Sequence, residues 1–173
     1  MRKKIIAIGA LLVMMFSLAA CGDNYVYQKA DFRLTIAVNK TNVVVGETVE
    51  ITVKLENLSG KDILVQMPNA LAEKTEDIVK IALVSEEAVS DKIRDGLGNF
   101  FYNEPVEGSR LKFEFKKNQI ISRTEIFVIE NATDCEVVAA ALFRTSHNFD
   151  SVVGVHSHHD KRIKINIIQE GQI

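Results

Sequence analysis

Val49-Glu50-Ile51-Thr52-Val53-Lys54-Leu55-Glu56 decides the fold. Every odd position is aliphatic and every even one is charged or threonine. That is the period of a strand with one face in a core and one in water. Three of the four apolar residues are β-branched, which suits a pleated surface. The same period appears upstream, where Phe32, Leu34, Ile36 and Val38 alternate with Arg33 and Thr35. Downstream, Asn57-Leu58-Ser59-Gly60-Lys61 is a turn cluster, and Ile63 to Met67 reads as a third strand. Leu111, Phe113 and Phe115 are set against Lys112, Glu114 and Lys116. Thr124 to Ile129 and Val137 to Phe143 are rich in β-formers, and the second is apolar on both sides, as a central strand should be. Ile163, Ile165 and Ile167 close the pattern.

The middle of the chain is ambiguous. Asp77 to Val84 reads as a strand, and residues 86 to 95 as a short helix with Ser85 as N-cap and Gly96 beyond its end. A single helix over 77 to 95 also fits the apolar spacing. Seven or eight short strands without long helices predict an all-β, antiparallel sandwich with one short helix inserted.

The segment from Lys40 to Asn57 resembles the first hairpin of bacterial immunoglobulin-like domains, in which a Gly-Glu or Gly-Asp turn (here Gly46-Glu47) leads into an alternating strand ending at Asn. The resemblance implies an immunoglobulin-like β-sandwich over residues 31–173 and a surface role, with no chemistry attached. The chain lacks the inter-sheet cysteine pair and the core tryptophan of antibody-type domains.

The N-terminus carries a second pattern. Met1-Arg2-Lys3-Lys4 is a basic head, residues 5 to 20 are uncharged, and Leu18-Ala19-Ala20-Cys21 follows. This is the layout of a secretory signal. It resembles the lipobox of bacterial lipoproteins at all four positions. The resemblance implies a signal peptide helix over 1–20, cleavage before Cys21, and a diacylglyceryl group on the Cys21 sulfur. The 16 uncharged residues span only about 24 Å as a helix, short of a bilayer core of about 30 Å. Two acyl chains hold a protein stably on a membrane, where one does so only marginally. The expected location is therefore the extracytoplasmic face of a cell membrane, lipid-anchored through Cys21. Residues 21–30 are the lipidated cysteine and a short tether.

Without Arg2, Lys3 and Lys4 the chain carries 18 basic and 23 acidic residues, a net charge of −5. A weakly acidic chain gives no basic footprint for nucleic acid. Of two cysteines, one is assigned to lipid, so Cys135 has no disulfide partner and the domain must hold by packing. Cys135 is expected to be a small core residue rather than a reactive thiol.

No catalytic signature is present: no G-x-S-x-G elbow, no H-E-x-x-H, no phosphate loop. Asp91, Asp95, Asn99 and Asn103 lack the spacing of a calcium loop. The four histidines all lie between 147 and 159, and His156-Ser157-His158-His159-Asp160 is a compositional hint of metal binding. Imidazole suits zinc, copper or nickel, with His156, His158 and His159 as candidate ligands and His147 or Asp160 completing the set. The plain alternative is a solvated loop. Immunoglobulin-like topology places residues 57–62 and 145–161 at the end where the chain enters, hence facing the membrane. Asn39, Asn57 and Asn131 begin N-x-[ST] triplets and read as turn residues.

These readings converge on a non-enzymatic, cofactor-free binding or interaction module, with a protein or glycan partner at the cell envelope. The alternatives are a metal-binding lipoprotein using loop 147–160, and a sandwich-type protease inhibitor.

Overall fold

In the computed structural model, residues 27–67, 73–85, 110–145, 151–156 and 163–168 are described. They form two sheets around one core. The first sheet is β1 (Phe32–Val38), β3 (Thr48–Asn57) and β7 (Ile120–Val128), in the order β1-β3-β7 and antiparallel throughout. The second contains β2 (Asn42–Val43), β4 (Ile63–Gln66), β5 (Val79–Ser85), β6 (Lys112–Phe115), β8 (Cys135–Thr145), β9 (Ser151–His156) and β10 (Ile163–Ile167).

The alternation in β3 is realised position by position. Val49, Ile51, Val53 and Leu55 are fully buried, while Glu50 and Lys54 are exposed. Burying each such aliphatic side chain contributes about 1.5–3 kcal/mol, so this one strand supplies a large share of the core. Across from it, Val137, Ala139, Ala141 and Phe143 of β8 point into the same cluster. The other face of β8 is buried too, at Glu136, Val138 and Ala140. That explains why the strand is apolar on both sides.

β8 organises the second sheet. Along one edge it pairs with β5 (Val79 opposite Ala141, Ser85 opposite Cys135) and then with β4 (Gln66 opposite Arg144). Along the other it pairs with β9 (Ser151 opposite Thr145, His156 opposite Ala140) and then with β10 (Ile163 opposite Val137). β10 in turn pairs with β2 in parallel.

Two expectations are corrected. The strand read over Asp77 to Val84 is present as β5, and the alternative of one helix from residue 77 is not: a 3-10 turn, Thr75–Ile78, leads directly into β5. The β-branched and apolar run pairs with β8, and tertiary pairing outweighs the helical stripe. Residues 145–161 are not one loop, since β9 lies inside them. The rest of that stretch, 146–150 and 157–161, lies outside the described residues. His156 stands opposite Ala140 and Ile163 opposite Val137. The chain-entry end is marked by Phe32, whose ring stacks on Phe115 (centroids 6.2 Å apart) and meets Phe143 edge-on (4.9 Å). Leu58 donates its N–H to Asp31 O there (2.8 Å), so residues 57–62 do lie beside the chain entry.

The expected signal helix over 1–20, Cys21 and the short helix 86–95 lie outside the described residues. No helix among the described residues is long and apolar enough to cross a membrane.

Candidate functional site

Among the described residues, the site that stands out is the outer face of the three-stranded sheet and its unpaired edge. β1 contributes Arg33, Thr35 and Ala37 to that face. β3 contributes Thr48, Glu50, Thr52, Lys54 and Glu56. Arg33 pairs with Glu56 across the strands. Thr52 and Thr124 share a hydrogen bond of 2.8 Å between their hydroxyls. The face is polar until it reaches β7. There Ile120, Ile126 and Val128 are 52%, 67% and 58% exposed. Three large aliphatics on one strand are an unusual surface on an otherwise polar sheet.

β7 is also an edge. Among the described residues it pairs only with β3. Ile129 donates its N–H to Glu47 O (2.9 Å) and Asn57 donates to Gln119 O (3.1 Å), at the two ends of the ladder. Antiparallel pairing alternates residue by residue, so the odd residues of β7 turn their backbone groups toward β3. The even residues, from Ile120 to Val128, turn their N–H and C=O groups to the opposite edge. A row of such groups is a template for another strand.

The inner side of β7 carries charge where a core strand would carry hydrocarbon. Ile121 and Phe127 point inward, and between them so do Arg123 and Glu125. Arg123 donates Nη1 to Asp77 Oδ1 (3.0 Å) and Nε to Glu125 Oε1 (2.5 Å). Asp77 lies on the 3-10 turn before β5, so the ion pair fastens the side of one sheet to the other. Burial pushes the Asp77 carboxyl up, but the N–H groups of Lys74 and Glu73, and then Arg123 and Lys80, outweigh it and hold it below the ordinary carboxylate value. Lys80 is held below the usual lysine value by burial first and by the Arg123 charge second.

A second polar centre lies at the chain-entry end. Asn57 is fully buried. Its Nδ2 donates to Lys61 O (2.9 Å), Phe115 O (2.9 Å) and Lys116 O (3.1 Å), and its Oδ1 accepts from Ser59 N (3.0 Å) and Ser59 Oγ (2.6 Å). One amide therefore ties the β3–β4 turn to the β6–β7 turn. Asn118, in the second turn, sits at φ 57°, a region asparagine tolerates. Its N–H donates to Asn57 O (3.1 Å).

Of the residues singled out in the sequence, His156 ends β9, and its backbone pairs with Ala140. His147, His158, His159, Asp160 and Cys21 lie outside the described residues, as do Asp91, Asp95, Asn99 and Asn103. Among the described residues no three or more His, Cys, Asp or Glu side chains gather closely enough to hold a metal ion. Cys135 is half-buried rather than fully buried, packs against the core and donates its thiol to Thr133 O (3.2 Å). Burial and then the neighbouring Asp134 push the thiol's pKa up, which works against reactivity. From the sequence, Thr124 to Ile129 reads only as a strand and Asn57 only as a turn residue, with no functional part for either. For β7 the obstacle was chemical: Arg123 and Glu125 interrupt the inward apolar series that would have announced a strand from Ile120 onward.

Comparison with known proteins adds little to this geometry. No family model matches the chain, and no curated protein does. Among solved structures, the sporulation control protein Spo0M from Bacillus subtilis is similar over 80% of this chain, at 11% identity and a TM-score of 0.35. This chain spans 50% of that protein's length. The ASH/PapD-like domain 7 of human CEP192 is similar over 78% of this chain and 85% of its own, at 9% identity and a TM-score of 0.37. Neither likeness bears on what this chain does.

Proposed function

We propose that this chain is a lipid-anchored, non-enzymatic binding module of immunoglobulin-like type, held through Cys21 on the extracytoplasmic face of a cell membrane. The anchor rests on the Leu18-Ala19-Ala20-Cys21 pattern. The binding role rests on one observation, the exposed aliphatic row Ile120, Ile126 and Val128 on the edge strand β7. Such a row costs free energy in water and returns it when a partner covers it, at about 25 cal/mol per Å² of apolar surface removed. Side chains on a strand are also held more rigidly than side chains on a loop, so less ordering entropy is lost on docking.

Photo-crosslinking in intact cells tests the binding role. A photoreactive residue in place of Ile126 should give a discrete adduct. The same residue in place of Leu64, an exposed leucine on the other sheet, should give none. No adduct from Ile126, or the same adduct pattern from both positions, removes the reading. Cys21→Ala tests the anchor: the variant should leave the membrane fraction.

A further inference from the structure

We infer that β7 pairs with β7 of a second copy of this chain, antiparallel about a two-fold axis through Thr124, joining two three-stranded sheets into one continuous six-stranded sheet. This deepens the binding reading above by naming the occupant of the edge, and it rests on that reading.

Three observations on β7 set the partner and the register. First, the even residues carry the outward backbone groups, so an incoming antiparallel β7 must place even residues opposite even residues. Second, the strand runs from Ile120 to Val128, and Thr124 is its midpoint. A two-fold axis there pairs every residue of the strand; any shift leaves ends unpaired. Third, the charges select the same axis. It sets Arg123 opposite the partner's Glu125, and Glu125 opposite the partner's Arg123. Moving the axis to residue 123 sets arginine against arginine, and moving it to 125 sets glutamate against glutamate. Opposite charges directly across a ladder stabilise it, and like charges destabilise it.

The remaining positions agree. On the outer face Ile120 meets the partner's Val128, Ser122 meets the partner's Ile126, and Thr124 meets its own copy. On the inner face Ile121 meets the partner's Phe127. Inward-pointing charge on an edge strand is a known device against edge pairing. Such a device works by leaving a charge uncompensated in any incoming strand. Here two opposite charges are spaced so that the strand compensates itself, and the barrier falls on other sequences and other registers.

Cysteine crosslinking in native membranes, with the full chain carrying Cys135→Ser, tests both the partner and the register. Hydrogen-bonded antiparallel pairs have Cα atoms about 5.5 Å apart, inside the range a disulfide spans. Thr124→Cys alone should give a covalent dimer on a non-reducing gel. Ser122→Cys alone should not, because its own copy is not opposite; Ser122→Cys with Ile126→Cys should. Cys135→Ser without an added cysteine sets the background from Cys21. A second variant keeps the outcome readable: Thr124→Pro in the Ser122→Cys/Ile126→Cys background. Proline at this position removes an N–H that faces away from β3, so the β3–β7 ladder is kept and the dimer band should fall at least tenfold. Equal crosslinking from Ser122→Cys and Thr124→Cys overturns the inference. So does the absence of a dimer from Thr124→Cys, and so does a dimer band that survives the proline. If Ile126 gives a photo-adduct with a different protein while Thr124→Cys gives no dimer, self-pairing fails and the binding reading stands.

Discussion

Replacing Asn57 with alanine should be among the most damaging single changes in the described structure, although Asn57 touches no proposed partner. The amide has two N–H groups, shared among the carbonyl oxygens of Lys61, Phe115 and Lys116, and an oxygen that accepts from Ser59 twice. Each neutral hydrogen bond is worth about 1 kcal/mol net, and a buried group left without its partner costs about 1–3 kcal/mol. Two donated bonds and two accepted bonds at about 1 kcal/mol each give a loss of about 4 kcal/mol. For a chain of this size about 1 kcal/mol shifts Tm by about 2–4 °C, so the midpoint should drop by about 10 °C. The assay is urea unfolding followed by far-UV circular dichroism, since the chain has no tryptophan. Asn57→Asp is the sharper companion. It keeps the size and the acceptor but loses both donors and faces three carbonyl oxygens with a carboxylate. The folded pKa of the introduced carboxyl must therefore be raised, and the variant's stability should recover as pH falls through that raised value. A loss of less than about 1 kcal/mol in Asn57→Ala, or an Asn57→Asp variant no more stable at about pH 4 than at about pH 7, would refute the reasoning.

Three further outcomes are expected. Asp77 has a depressed folded pKa, so its contribution is present above the unfolded value of about 3.9 and is lost as pH falls through the folded one. Asp77→Asn should therefore melt below the parent at about pH 6, and the gap should close toward about pH 2. Thr145 is fully buried, and its hydroxyl has no hydrogen-bond partner among the described residues. Thr145→Val should raise stability by about 1 kcal/mol in urea titration; a loss of that size would show that the hydroxyl is paired. The raised pKa of Cys135 leaves little thiolate at about pH 8. Its reaction with a disulfide reagent in the folded protein should be slower than that of free cysteine and should accelerate as pH rises.

The all-β fold was legible because period two is a direct image of the pleat. Val49 to Glu56 shows it cleanly, and the structure buries the residues the pattern selects. β8 was legible for the opposite reason, a run apolar on both sides that only a covered strand can use. β9 was hidden inside a stretch read as one loop. Of the four histidines only His156 falls on that strand, as its last residue. β7 was half legible. Its Thr124 to Ile129 part reads as strand, but Arg123 and Glu125 face inward, where hydrophobic patterning expects hydrocarbon. Asn57 was read as a turn residue from its place beside Ser59 and Gly60. Its burial depends on the β6–β7 turn, more than fifty residues away, which no local pattern carries.

Mass spectrometry of the N-terminus of native material tests the anchoring claim most directly. The account predicts a chain that begins at Cys21 with a diacylglyceryl group on its sulfur. An intact leader from Met1, or a mature terminus without fatty acid, would contradict it.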